Sequence, residues 1–189
     1  MIRKKMFSLL LFMLTFSTFI FAYPAIAEIN PTLADREGAK AEEAAVLAAR
    51  LIVRKTIGKD GRFIAYDDGT VVDRKSGLMW AAKDNGADIT WHGAKSYCEN
   101  YRGGGYTDWR MPTRDELAEL FDNSKTYKAC GYDVHLTELI RLTCVTPWAS
   151  ETREAWASAA AFGFNDGDWN WVRKSFDTHK RALPVRSGK

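Results

Sequence analysis

The sequence predicts an α+β domain, and three observations predict it. Short apolar runs separated by glycine-containing turns occupy Arg62 to Trp80. Two helices with readable N-caps follow, at Thr90 and Thr113. Alternating aromatic, small and polar residues then close the chain from Ala160 to Arg186. Strands, then helices, then strands again is the order of short antiparallel sheets with two helices packed on them. A third helix is expected ahead of the domain.

At the N-terminus, Arg3, Lys4 and Lys5 precede an uncharged run from Phe7 to Ala22, and Ala25-Ile26-Ala27 supplies an A-x-A cleavage site before Glu28. The run approaches the length of a membrane span. Pro24 and the small residues around it favour cleavage, so residues 1–27 read as a signal peptide. No cysteine stands directly after the run, which argues against a lipid anchor. The expected location is periplasmic or secreted, with no stable membrane anchor after cleavage. The whole chain carries 27 Lys+Arg and 24 Asp+Glu; loss of the three basic residues leaves 24 of each and a net charge of zero. The basic isoelectric point then belongs to the signal, and overall charge gives no support for a nucleic-acid partner.

Residues 28–58 form an N-terminal helical segment. Ala34 to Lys55 is rich in strong helix formers. Leu33, Val46, Leu47, Leu51 and Ile52 give a modest apolar stripe, with too few heptads for a coiled coil. The expectation is a helix lying against its own domain, with an oligomerising helix as the alternative. Gly58 to Gly61 marks a boundary, and residues 59–189 form the domain.

Within the domain, Asp67-Asp68-Gly69 turns one strand into the next, Thr70 to Asp73. Leu78-Met79-Trp80 is the next run. Thr90 caps a helix to about Arg102, with Trp91, Ala94, Cys98 and Tyr101 on one face, and Gly103-Gly104-Gly105 stops it. Pro112 disfavours helix before it, and Thr113 with Glu116 forms a capping box for a helix running to about Asp122. Lys125 to Ser150 reads as irregular, with a short helical piece from His135 to Leu142. Ala160, Phe162 and Phe164 alternate, Asn165-Asp166-Gly167 turns the chain, and Trp169 and Trp171 share one face of the return strand. Arg181 to Arg186 makes a last strand, in which Pro184 requires an edge or an irregularity.

Export places the three cysteines in an oxidising compartment. Cys130 and Cys144 share the irregular segment and can close a short loop, which leaves Cys98 buried and free. Pairings of Cys98 with either of the others stay open at this level. The three histidines, at 92, 135 and 179, have no ligand spacing.

The stretch GYTDWRMPTRDEL, Gly105 to Leu117, resembles the signature of the Legionella collagen-like adhesin C-terminal domain family. So do Asp67–Ala81, Trp91–Tyr101 and Arg181–Gly188, so the similarity runs from about Phe63 to Gly188. The resemblance implies a C-type-lectin-like fold, distantly similar to formylglycine-generating sulfatase modifiers, with both termini in one sheet and ligands on the late loops. Those modifiers use a reactive cysteine in their C-terminal part; here no cysteine follows Cys144. Asp108-Trp109-Arg110 reads as a structural turn, with Arg110 paired to a carboxylate. No G-x-S-x-G, P-loop or H-E-x-x-H motif occurs, and no enzyme activity, cofactor or metal is expected.

The function that this implies is a non-catalytic binding module, for polysaccharide or another extracellular ligand, of the adhesion type. The alternative is a structural or protein-interaction domain of the cell envelope. Trp80, Trp91 and Trp109 are assigned to the core. The ligand candidates are Trp148, Trp156, Asn165, Asp166, Asp168, Trp169, Trp171 and Arg173, where indole rings can stack on sugars and polar groups can take hydroxyls and acids.

Overall fold

Asp68 fixes the Asp67-Asp68-Gly69 turn: its carboxylate accepts the Thr70 N–H at 3.0 Å and the Thr70 hydroxyl at 2.6 Å. Gly69, at φ +78°, then donates to the Tyr66 carbonyl. The next turn is held from inside by Asp73, 1% exposed, which accepts from the Lys75 N–H and the Ser76 hydroxyl and pairs with Arg62 at 3.1 Å. Both turns are written in local Asp chemistry.

The computed structural model describes residues 33–188. The expected signal peptide, residues 1–27, lies outside them. The chain divides into two units, 1–45 and 46–189. A helix, α1, spans Leu33–Val53, and its residues from Asp35 to Ala45 are solvent-exposed. The docking expected for its apolar stripe falls mainly on side chains outside the described set. The domain follows as β1 (Thr56–Asp60), β2 (Phe63–Tyr66), β3 (Thr70–Asp73), β4 (Leu78–Ala81), α2 (Trp91–Asn100), α3 (Arg114–Ala118), β5 (Tyr127–Ala129), β6 (Tyr132–Val134), β7 (Thr146–Arg153), β8 (Ser158–Phe162), β9 (Trp169–Arg173), β10 (Lys180–Arg181) and β11 (Val185–Ser187). Among the described residues, no helix is long and apolar enough to cross a membrane.

Five strands make one sheet in the order β1-β2-β3-β4-β11, so the first and last strands of the domain are its two edges. Four make another, β10-β7-β8-β9, in which only the β10–β7 pair is parallel. The main core contains Phe63, Val71 and Trp80 from the first sheet, Ala160 and Phe162 from the second, and Leu117 and Leu120 from the α3 region. The opposite face of the second sheet, Trp148, Ala159 and Ala161, packs on Trp91, Ala94 and Cys98 of α2. The α+β class stands. So do the core assignments of Trp80, Trp91 and Trp109, which are 0%, 8% and 3% exposed.

The Asp108-Trp109-Arg110 turn ties the two ends of the domain together. Asp108 accepts from Arg186 of β11 through Nε at 2.7 Å and Nη2 at 3.0 Å. Trp109 donates its Nε1–H to the Gly103 carbonyl at 3.1 Å. Arg110 exchanges backbone bonds with Val185, and its guanidinium grips Glu116 bidentately at 2.8 and 2.6 Å. Glu116 also accepts the Thr113 N–H, while the Thr113 hydroxyl accepts the Glu116 N–H, completing the capping box. Burial opposes ionisation of Glu116, yet Arg110 and the Thr113 N–H together hold its carboxyl below the usual range. The carboxylate expected for Arg110 is therefore the capping residue itself.

Several expectations change. The helix after Thr113 stops at Ala118, not near Asp122. The next bonds, Leu120 N–H to Leu117 and Phe121 N–H to Ala118, span three residues and tighten the chain into a turn. The stretch His135 to Leu142 is not helical, because its backbone groups are engaged elsewhere. His135 donates to Phe164, Arg141 donates to Ala82, and the Tyr127 hydroxyl bridges the Ile140 carbonyl and the Leu142 N–H. The region read as irregular contains the β5–β6 hairpin and the first part of β7. The last strand breaks at Pro184 into β10 and β11. Cys130 and Cys144 are bonded, while Cys98 is free and fully buried, its thiol pushed up to about 12 by burial and by Glu99.

Candidate functional site

The turn Asn165-Asp166-Gly167 delivers β9 to the edge of the second sheet. Gly167, at φ +79°, donates to Gly163, and Gly163 donates to Asp168. Asp166 accepts the Asp168 N–H at 3.1 Å and the Asn165 amide at 3.2 Å. The polar groups of Asn165 and Asp166 thus build the turn. Among the described residues, no group of three or more His, Cys, Asp or Glu side chains is placed to hold a metal ion.

From there the register decides what shares a face. Trp169 pairs Phe162, Trp171 pairs Ala160, and Arg173 pairs Ser158, which pairs Arg153 of β7 on its other side. Residues directly opposite in antiparallel strands project to the same face. Trp169, Trp171, Arg173 and Arg153 therefore form one group, and Asn170 and Val172 lie on the reverse. Val172 packs with the α2 cluster and Trp171 with the main core, as this alternation requires.

The indole rings of Trp169 and Trp171 meet edge to face, with centroids 5.7 Å apart. Each carries an arginine. The Arg114 guanidinium lies 4.4 Å from the Trp169 centroid, and that of Arg153 lies 4.0 Å from the Trp171 centroid. Cation–π contacts of this kind hold a guanidinium in place without neutralising it. Arg114 also pairs with Asp115, and its N–H donates to the Glu151 carboxylate. Among the described residues, Arg153 and Arg173 have no carboxylate partner. Two strand spacings put their backbones about 10 Å apart across Ser158. Their repulsion is only on the order of 0.4 kcal/mol in water. An acid group between them gains two charge-assisted bonds of about 1.5–3 kcal/mol each.

At the C-terminal end of β9 lies a cleft of about 800 Å³, lined by Trp156, Arg173, Lys174, Glu154, His92 and Thr90 among others. Lys174 pairs with Glu154 at 2.9 Å and lies 5.0 Å from the Trp91 centroid. Trp156 projects from a 3-10 turn, Glu154–Trp156, and is 75% exposed.

The structure brings Trp169, Trp171 and Arg173 together, with Asn165, Asp166 and Asp168 at one end and Trp156 at the other. It removes Trp148 from the set. That side chain is 0% exposed and donates its Nε1–H to the Ile89 carbonyl at 2.8 Å, so it is core. Sequence reasoning missed Arg114 and Arg153. Arg114 is 55 positions from Trp169 along the chain, and β7, which carries Arg153, was not recognised as a strand.

Residues 69–186 match the model of the Lcl C-terminal domain. No curated protein sequence matches the chain.

Proposed function

Because this chain belongs to the Lcl C-terminal domain family, we propose that it is an exported, non-catalytic binding module of the adhesin type whose ligand is acidic polysaccharide. The observation that carries this reading is the row Arg153–Ser158–Arg173. Two cations face the same way at a sheet edge, without carboxylate partners among the described residues. The rings of Trp169 and Trp171 support arginines, so this face suits carboxylate or sulfate groups more than neutral sugar rings. The Cys130–Cys144 bond and the family fit an oxidising compartment. A non-catalytic role is supported by the engagement of Asp108, Arg110 and Glu116 in structural ion pairs. A C-type-lectin-like fold belongs to the same proposal, and the placement of β1 and β11 in one sheet supports it.

A shallow edge site should bind in the millimolar to micromolar range per domain, on the order of −4 to −8 kcal/mol. The experiment is a titration of polygalacturonate and of neutral dextran at low and at high salt. Saturable binding of the acidic polymer alone, weakened by salt and indifferent to EDTA, is expected. Equal binding of dextran, or none of polygalacturonate, would refute the reading.

A further inference from the structure

We infer that the cleft at the C-terminal end of β9 is a ring-binding subsite for the same acidic glycan, with Trp156 as its stacking platform. This rests on the acidic-ligand reading above. The four tryptophans first grouped as ligand candidates differ in what lies against their rings. Trp148 is inside the fold. Trp169 and Trp171 each have a guanidinium over the ring. Trp156 is exposed, and among the described residues no aromatic ring or cation lies over it. It alone of the four offers an open indole face, the surface on which the apolar side of a pyranose ring packs.

The backbone holds that indole in place. Ala157 closes the 3-10 turn in the left-handed region, at φ 44°, where a residue with a Cβ is uncommon. Three bonds maintain it. Ala157 donates to Glu154 at 3.1 Å, Lys174 donates to the Ala157 carbonyl at 2.8 Å, and the Ser158 hydroxyl donates to the Trp156 carbonyl at 3.0 Å. Trp156 is thereby joined to β9 and to the start of β8, the strand that separates Arg153 from Arg173.

Arg173 belongs to both places. It stands in the arginine row and lines the cleft. A chain whose acid group lies between Arg153 and Arg173 therefore has its neighbouring sugar at the cleft mouth. There Glu154 and Thr90 supply acceptors for hydroxyl groups, and His92 and Lys174 supply ring and ammonium nitrogens. The volume suits a sugar unit with water. The arginine row recognises charge, and the cleft recognises that the charge is carried on a sugar.

The test is calorimetric titration of two anionic probes, oligogalacturonate and inorganic polyphosphate, against the wild-type protein, Trp156→Ala and Trp156→Phe. Polyphosphate has the charge without the ring. Trp156→Ala should weaken oligogalacturonate about tenfold, leave polyphosphate unchanged, and leave the melting temperature unchanged because the side chain is exposed. Trp156→Phe should retain most of the affinity. Equal weakening of both probes, or none of oligogalacturonate in a folded Trp156→Ala protein, overturns the subsite and leaves the arginine row intact. Failure of the wild-type protein to bind either probe removes both readings.

Discussion

At the Asp108-Trp109-Arg110 turn, every charge meets an opposite charge. Asp108 holds Arg186, Arg110 holds Glu116, and Trp109 is buried with its N–H bonded. On the face shared by β7 and β9 the same residue types are arranged differently. Arg153 and Arg173 make no ion pair among the described residues, and Trp169 is 39% exposed. The first arrangement is closed and joins β11 to α3. The second has no such ion pairs among the described residues, and the proposed binding function rests on that difference. The residue types alone do not distinguish the two places. Partner geometry does: Arg110 and Arg186 lie against carboxylates, whereas Arg153 lies over the Trp171 ring and makes no ion pair among the described residues.

If this contrast is right, substitutions at the closed turn and core should cost stability, and those on the β7–β9 face should cost binding. Trp109→Ala should have the largest effect, a loss of about 4 kcal/mol from emptying a packed aromatic site. Chemical denaturation reads it. A midpoint shift smaller than that of any surface substitution would break the contrast. Removing the disulfide with Cys130→Ser/Cys144→Ser should cost about 3 kcal/mol, since the bond closes a loop across 14 positions. Thr113→Ala should cost about 1 kcal/mol by removing one half of the capping box. An unchanged denaturation midpoint would mean that Arg110 and Glu116 hold the helix start by themselves.

Acid sharpens the same point. The Arg186 guanidinium holds the Asp108 carboxyl below its ordinary value of 3.8. The stabilisation is then fully present above 3.8 and is lost as pH falls through the lower folded value. A melting series below pH 5 should show this loss in the wild-type protein and a smaller one in Asp108→Asn. Parallel curves would mean that the Asp108–Arg186 pair contributes nothing.

How much of this was readable in the chain depends on where each residue's partner lies. The capping box, the Asp67-Asp68-Gly69 turn and the alternation of Trp169 and Trp171 are set by neighbours within a few positions, and all three are seen. The helix expected from His135 to Leu142 failed for the opposite reason. Its apolar spacing is helical, but Phe164, Ala82 and Tyr127, all distant along the chain, take its backbone bonds. Trp148 was misplaced because polar neighbours in sequence say little about a strand whose two faces both pack. The grouping of Arg114, Arg153 and Arg173 depends on the β7–β8–β9 register and on α3 lying against Trp169. No local pattern encodes either.

The most direct test of the account is the Arg153→Gln/Arg173→Gln double variant, measured for both thermal stability and polygalacturonate affinity. Both side chains are exposed and lack carboxylate partners among the described residues. The account predicts a stability change within about 0.5 kcal/mol and an affinity reduced at least about tenfold, equivalent to 1.4 kcal/mol. A destabilised protein that binds the polymer as well as wild type would contradict it.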